Sequence, residues 1–367
     1  MTKTNPVNER IKREYFHYLK EARGRDDATI DGVAKALARF EECTRAKDFR
    51  KFHREQAMAF KARLAAVNNV RTGERLSKAT MLSTLRELKA FFFWLAHLPG
   101  FKSHIAYADA DYFSMAEKDV AVARARREKR VPTPDQVRHV LANMATGTVL
   151  ERRDRALIAF AATTGARVSA LATFQLGHVD LQNGFVEQDA RTVRTKFAKT
   201  FRTYFMPVID GALEIVSAWV EERRRDHLCA ATDPLFPATA MGLGERGAFA
   251  PVGIVPHGWT TTSPIRDIFR RAFAAAALPY YNPHSFRDML VYHAMALDLS
   301  PEQMKAWSQN LGHSDVLTTF TSYGSVPVHR QGSLIKAAQA HLDGSTALLA
   351  GLKTSELLAE LAKRHSD

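Results

Sequence analysis

A break in the apolar pattern between residues 116 and 130 constrains the fold of this chain more than any other feature. The stretch AVARARREKR at 121–130 is strongly basic and has no large apolar side chain, as is typical of an interdomain linker. The 367 residues are too many for one ordinary core and sufficient for two domains. We therefore predict a first domain over 1–115, a linker over 116–130, a second domain over 131–340 and a C-terminal tail over 341–367.

The first domain is predicted to be a small helical bundle. Ile30, Val33, Leu37 and Phe40 recur at steps of three and four, as on one face of a helix. Phe52, Phe60, Leu64 and Val67 suggest a second such face. Ser77 is placed to cap a third helix, which carries Leu82, Leu85, Leu88 and Phe92 and stops at Pro99-Gly100. The run Phe91-Phe92-Phe93 is interpreted as bundle core rather than as a platform for stacking bases.

The second domain is predicted to be mainly helical with a small sheet. Thr133-Pro134-Asp135-Gln136 has the pattern of a capped helix start, and an apolar helix is expected to end near Gly165. Short β-like segments follow between Phe185 and Val208, and helical patterns return at 215–220 and 265–276. The stretch from Gly242 to Gly258 is rich in glycine and proline and is predicted to be a loop.

Charge and cysteine content limit the partners and the compartment. Lys and Arg outnumber Asp and Glu by 52 to 39, and the net charge of +13 favours a polyanionic partner such as a nucleic acid. Two cysteines, Cys43 and Cys229, cannot build a disulfide framework or a four-thiolate zinc site. No apolar run approaches the length of a membrane span, so we expect a cytoplasmic protein without a membrane partner.

Several short motifs in the second half carry candidate chemistry, although each alone is weak. Chance gives about two histidines with a basic residue three positions later in a chain of this composition. The order of the motifs along the chain is more informative than any one of them. In sequence they are Thr164-Gly165-Ala166-Arg167, Thr195-Lys196, Pro283-His284-Ser285-Phe286-Arg287, Leu311-Gly312-His313 and Thr321-Ser322-Tyr323.

This series resembles the catalytic domain of the tyrosine recombinase (phage integrase) family over roughly Val131 to Val328. The family pattern is an arginine after Thr-Gly, a lysine in a β-hairpin, His-x-x-Arg, Leu-Gly-His and a tyrosine about ten residues later. The first domain is similar, less specifically, to the helical core-binding domain of that family. The resemblance implies a mainly α (α+β) fold, in which a helical DNA-binding bundle precedes a catalytic domain with a small antiparallel sheet.

The resemblance also implies roles for individual residues. Arg167 and Arg287 would bind the two non-bridging oxygens of the attacked phosphate, in place of the metal ions of many nucleases. Tyr323 would attack the phosphorus and form a 3′-phosphotyrosyl bond, which conserves the ester energy, so that rejoining needs no ATP. Neither a metal nor another cofactor is expected.

The histidines and a lysine complete the implied site. His284 and His313 are mapped as hydrogen-bond donors to the phosphate, and an imidazole at His284 has a suitable pKa to help take the tyrosine proton. Lys196 is mapped as the general acid for the leaving 5′ oxygen because the family lysine usually follows a threonine. Lys199 is a nearby competitor for that role.

Three positions depart from the family pattern. Ala170 stands where Glu or Asp usually follows the first arginine, which leaves the support of Arg167 open. Asp288 follows Arg287, where a second histidine is common. Ten residues separate His313 from Tyr323, one more than the usual spacing, so the reach of the nucleophile is in question.

The predicted function is site-specific recombination, such as integration or excision of a mobile element, on double-stranded DNA by a homo-oligomer, four protomers on two sites. The basic residues of the linker are predicted to contact DNA. These residues are Arg126, Arg127, Lys129 and Arg130. The leucines of the tail need a surface to bury against, which is either the tail's own domain or, as the resemblance implies, a neighbouring protomer. Alternatives are a type IB topoisomerase-like enzyme that relaxes DNA and a catalytically silent DNA-binding regulator. A helical RNA-binding protein does not account for the ordered series.

Overall fold

The computed structural model describes residues 4–69, 73–125, 130–244, 247–297 and 299–313, together with residues 332, 335 and 336. Tyr323, the linker residues Arg126, Arg127 and Lys129, and the tail over 341–367 lie outside the described residues. The chain divides into two compact units, Met1–Arg126 and Arg127–Asp367. Among the helices of the described ranges, none combines the length and the apolar character that crossing a membrane requires.

The first unit is a helical bundle around a cluster of aromatic rings. Its helices are α1 (Pro6–His17), α2 (Asp27–Thr44), α3 (Arg54–Ala66), α4 (Lys78–His97) and α5 (Glu117–Arg124). Ser77 caps α4 as predicted, since its side chain accepts a hydrogen bond from the Thr80 amide. Phe91 and Phe92 are fully buried, and the rings of Phe52 and Phe92 stack with centroids 3.8 Å apart. The interpretation of the phenylalanine run as core is confirmed.

Two expectations for the first unit need correction. Phe52 lies between the 3-10 turn Phe49–Lys51 and α3, and Val67 follows α3 in an exposed position, so the predicted apolar face was wrong at both ends of this helix. The first half of the predicted linker is helix α5, which packs on α4. Its acidic residues Glu117 and Asp119 lie in the first turn and Arg124 lies in the last, an arrangement that complements the helix dipole.

The second unit has helices and two small antiparallel sheets, which confirms the predicted mainly α fold class. Its helices are α6 (Pro134–Asn143), α7 (Val149–Thr164), α8 (Val168–Leu171), α9 (Ala212–Arg225), α10 (Ser263–Ala275), α11 (Pro283–Ala296) and α12 (Pro301–Asn310). Its strands are β1 (Val179–Asp180), β2 (Phe185–Gln188), β3 (Phe201–Tyr204), β4 (Thr239–Leu243) and β5 (Phe249–Ile254). The first sheet has the order β1-β2-β3, with Val186 opposite Thr203, and β4 pairs with β5.

Helix α7 is the buried centre of this unit, and the site is arranged around its C-terminal end. Every residue of α7 from Ala156 to Thr164 is buried, and the Phe160 ring packs edge-on against Phe174 and Phe236. The helix ends, as predicted, at Gly165, which has a left-handed backbone with φ +60°. The predicted start of α6 is also confirmed, because Thr133 and Gln136 form a reciprocal capping box.

The stretch from Gly242 to Gly258 is not a loop throughout. Much of it forms the β4–β5 hairpin, in which Leu243 lies opposite Phe249 and the turn uses Gly247 at φ +70°. Sequence reasoning missed this hairpin because both strands are partly exposed along their length and show no regular alternation of buried and exposed residues. The glycines and Pro251 also suppress the β signal.

Candidate active site

The Arg287 guanidinium joins two turns that are distant in sequence. Arg287 lies in the first turns of α11 and is 3% exposed. Its Nη1 donates to the Gly165 carbonyl at 3.1 Å, and its Nη2 donates to the Leu311 carbonyl. Gly165 precedes Arg167 by two residues and Leu311 precedes His313 by two residues. Arg287 therefore links the two backbone turns that carry these candidate side chains.

The turn that carries Arg167 depends on a glycine at 165. A Cβ there would lie 2.8 Å from Leu311 Cδ2 and 3.0 Å from Leu290 Cδ1, so α11 and the segment after α12 pack directly on the bare backbone. The Thr164 hydroxyl accepts a hydrogen bond from the Ala166 amide and shapes the same turn. Arg167 then occupies the N-cap position of the short helix α8 and is half-buried.

The turn that carries His313 is packed against strand β3. A Cβ at Gly312 would lie 2.5 Å from Cζ of Phe201, so the Phe201 ring fills the space that a side chain would need. Asn310 pairs with the edge of the same strand: its Oδ1 accepts from the Tyr204 amide at 2.6 Å and its Nδ2 donates to the Tyr204 carbonyl at 2.9 Å. The sheet and the His313 turn are therefore held together.

Positive groups converge on His313. Burial lowers the pKa of this imidazole to about 4, together with the charges of Arg287, Arg167, His284 and Lys199. At neutral pH the ring is therefore uncharged. A neutral imidazole has one N–H, so His313 can donate one hydrogen bond, and the fixed charge of the site comes from the arginines and a lysine.

His284 lies one turn before Arg287 but is much more accessible, with 57% of its side chain exposed. Its Nε2 is 3.9 Å from Oδ1 of the buried Asp288. Ala170 is buried in the core of the unit and offers no carboxylate. At the two positions that depart from the family pattern, Ala170 leaves α8 without a carboxylate and Asp288 places one on α11 beside His284.

The two candidate lysines lie on either side of a left-handed turn between β2 and β3. Phe197 and Ala198 have φ of +61° and +49°. Lys196 precedes them, and its Nζ is 4.8 Å from the Phe197 ring centroid. Lys199 follows them with an extended backbone, and its charge is one of those that lower the pKa of the His313 imidazole. The geometry favours Lys199 over the predicted Lys196 for a role near His313.

The structure brings together Arg167, His284, Arg287 and His313, and adds Lys199. Tyr323 lies outside the described residues, as do three of the four predicted linker contacts; the fourth, Arg130, is exposed. Sequence reasoning did not single out Asn310, whose position directly before Leu311-Gly312-His313 was the available signal. Asp288 was noted only as a departure from a pattern.

The family assignment follows from a comparison with protein-family models. The model of the phage integrase family matches residues 130–328, which is more than half of the chain and includes every candidate catalytic residue. The chain belongs to this family, the tyrosine recombinases.

Individual relatives are distant in sequence. The chain is 25% identical over 322 residues to tyrosine recombinase XerC of Lactobacillus delbrueckii subsp. bulgaricus, covering 84% of this chain and 92% of that protein. A lambda integrase tetramer bound to a Holliday junction has a TM-score of 0.57 at 12% identity, covering 88% of this chain and 81% of that one. The Tn1549 transposon integrase in complex with a circular intermediate DNA has a TM-score of 0.56 at 15% identity, covering 89% of this chain and 99% of that one. These solved structures share the fold.

The packing at Gly165 predicts a specific loss of stability. Gly165→Ala adds a methyl group that must displace Leu311 and Leu290 and occupies a left-handed backbone, so we expect it to lower the free energy of unfolding by about 2–4 kcal/mol. Gly184→Ala is the matched control, because Gly184 has φ +70° but an added Cβ meets nothing within 4 Å. Gly184→Ala should lower the free energy of unfolding only by the backbone strain, about 1 kcal/mol. Urea denaturation compares the two, and equal losses would contradict the close packing at Gly165.

Proposed function

We propose that this chain is a site-specific DNA recombinase that cleaves and rejoins strands through a 3′-phosphotyrosyl intermediate, with Tyr323 as the nucleophile. The observation that carries the proposal is that Arg167, Arg287 and His284 surround His313. Arg287 also donates hydrogen bonds to the carbonyls of Gly165 and Leu311, in the turns that carry Arg167 and His313. Membership of the phage integrase family supports the same function.

The chemistry follows from the charges at the site. Attack on a phosphodiester concentrates negative charge on the two non-bridging oxygens, and two arginines that stay ionised at any working pH stabilise it without a metal ion. Arg167 and Arg287 take this role. His313, which is neutral because its pKa is lowered, donates a hydrogen bond to the same phosphate.

Proton transfer needs one base and one acid. The Tyr323 hydroxyl loses its proton to His284 as its oxygen bonds to phosphorus, and Oδ1 of the buried Asp288 lies 3.9 Å from Nε2 of His284. The bond from phosphorus to the 5′ oxygen breaks, and Lys199 protonates that oxygen. In the reverse direction the 5′ hydroxyl attacks the phosphotyrosine, so rejoining needs no other energy source.

Double-stranded DNA is the proposed partner, and the chain is proposed to oligomerise on it. The lambda integrase in the structural comparison is a tetramer bound to a Holliday junction, which supports an assembly of four protomers on two sites. The finer elements of this proposal are phosphate contacts from Arg126, Arg127, Lys129 and Arg130 and docking of the tail over 341–367 on a neighbouring protomer.

The two alternatives predict different products. A type IB topoisomerase-like enzyme relaxes supercoils without strand transfer between two sites, and a silent regulator forms no covalent adduct. The curated relatives are named tyrosine recombinases, which does not favour either alternative.

Replacement of Tyr323 by Phe tests the nucleophile. Nicked duplexes selected for binding from a random-sequence library trap a covalent protein–DNA adduct if the proposal holds. Tyr323→Phe should abolish the adduct with little change in DNA affinity, because only a hydroxyl is lost. Tyr280→Phe, on an exposed tyrosine of the same unit, is the control and should form the adduct normally. Wild-type adduct formation should persist in EDTA. An adduct in the Tyr323→Phe variant would show that another residue attacks.

The choice between the two lysines is tested with a substrate that needs no acid. Lys199→Ala should slow cleavage of an ordinary phosphodiester by roughly 100-fold or more, in the range of general acid catalysis. A bridging 5′-phosphorothiolate should restore most of the rate, because sulfur leaves without a proton. Lys196→Ala should slow cleavage less and gain nothing from the sulfur. Selective rescue of Lys196→Ala instead would return the role to Lys196.

A further inference from the structure

The β2–β3 connection presents an aromatic side chain to solvent. Phe197 is 77% exposed, the highest value for an aromatic residue among the described part of the chain. The Lys196 ammonium lies 4.8 Å from its ring centroid. This exposure leaves the faces of the ring accessible to a partner outside the unit.

The backbone at this position is also unfavourable for the residues present. Phe197 has φ +61° and ψ +27°, and Ala198 has φ +49°, a region that glycine tolerates and other residues rarely adopt. The neighbouring Thr195 hydroxyl is buried and has no hydrogen-bond partner in the described residues. The turn therefore keeps an exposed ring in a conformation that does not favour folding, and such positions often serve a function.

The charge around Phe197 indicates the kind of partner. Two acidic residues of the hairpin, Glu187 and Asp189, pair with Arg202 and Arg191. The positive groups nearer the ring in sequence are Arg194, Lys196 and Lys199. This combination of an aromatic ring with basic side chains fits a nucleic acid, in which phosphates lie beside flat bases.

We propose that Phe197 inserts against the bases of the duplex next to the cleaved phosphate and partly unstacks one base step, while Lys196 binds a neighbouring phosphate. The proposal rests on the proposed function, since Lys199 at the phosphate places Phe197 two residues away on the same hairpin. Apolar side chains that wedge into a groove bend the DNA and stabilise the opened step. The exposed ring and the strained turn are then features of DNA binding rather than of folding.

Tryptophan fluorescence tests the contact directly. Phe197→Trp and Phe249→Trp place a fluorophore at two similarly exposed positions, since Phe249 is 74% exposed on the β4–β5 hairpin. Each is titrated with a random-sequence duplex of about 30 base pairs, and the signal of the four native tryptophans is subtracted using the wild-type protein. Stacking on bases should quench Phe197→Trp strongly. Quenching no greater than that of Phe249→Trp would overturn the proposal.

A glycine variant separates binding from folding. Phe197→Gly fits the left-handed backbone, so its thermal midpoint should be unchanged or higher, while its Kd for the same duplex should rise about 10-fold. The slope of log affinity against log salt should not change, because no charge is lost. Lys196→Ala should make that slope shallower by about one. Unchanged affinity of Phe197→Gly would overturn the proposal.

Failure of this proposal can be distinguished from failure of the proposed function. Failure of the wild-type protein to form a covalent adduct would count against the recombinase chemistry whatever the fluorescence shows. If the wild type forms an adduct but Phe197→Trp and Phe249→Trp are quenched equally by DNA, the proposed recombinase chemistry holds and the proposed insertion of Phe197 is wrong.

Discussion

Arg287 donates hydrogen bonds from one buried guanidinium to the carbonyl oxygens of Gly165 and Leu311. These carbonyls belong to the segments after α7 and after α12, which carry Arg167 and His313. Because a planar guanidinium holds its donors at fixed angles, the two bonds set the relative position of both turns. A residue that the family pattern implies as a phosphate ligand is therefore also the structural centre of the site.

This arrangement has an electrostatic consequence. Burial, together with the charges of Arg287, Arg167, His284 and Lys199, lowers the pKa of the half-buried His313 imidazole to about 4, so this ring is uncharged at neutral pH. Concentrated positive charge is unfavourable in the protein alone and becomes favourable when a phosphate enters. The site is therefore pre-organised for a phosphodiester whose negative charge increases during the reaction.

Local sequence signals predicted much of the fold. The Thr133–Gln136 capping box, the Ser77 cap and the glycine that ends α7 each act within a few residues, so they can be read without knowing the tertiary structure. The β4–β5 hairpin could not be predicted in this way, because its strands are partly exposed along their length and give no regular alternation of buried and exposed residues.

The candidate site was predicted in outline, and its details required the structure. The order of Arg167, His284, Arg287 and His313 in the sequence indicated a shared site. The preference for Lys199 could not be predicted, because it depends on a left-handed turn at two residues that are not glycine. The link between Asn310 and Tyr204 is likewise a contact across 106 residues that no local pattern signals.

The Arg287 guanidinium holds two turns in place that are distant in sequence. Hydrogen exchange of Arg287→Lys, followed by mass spectrometry, tests it most directly, because lysine keeps the charge but lacks the planar fork. We predict faster exchange in both peptides that contain the turns, around Gly165–Arg167 and Leu311–His313, with the exchange of α9 unchanged as the internal reference. Wild-type exchange rates in both turns, or a change confined to one of them, would contradict it.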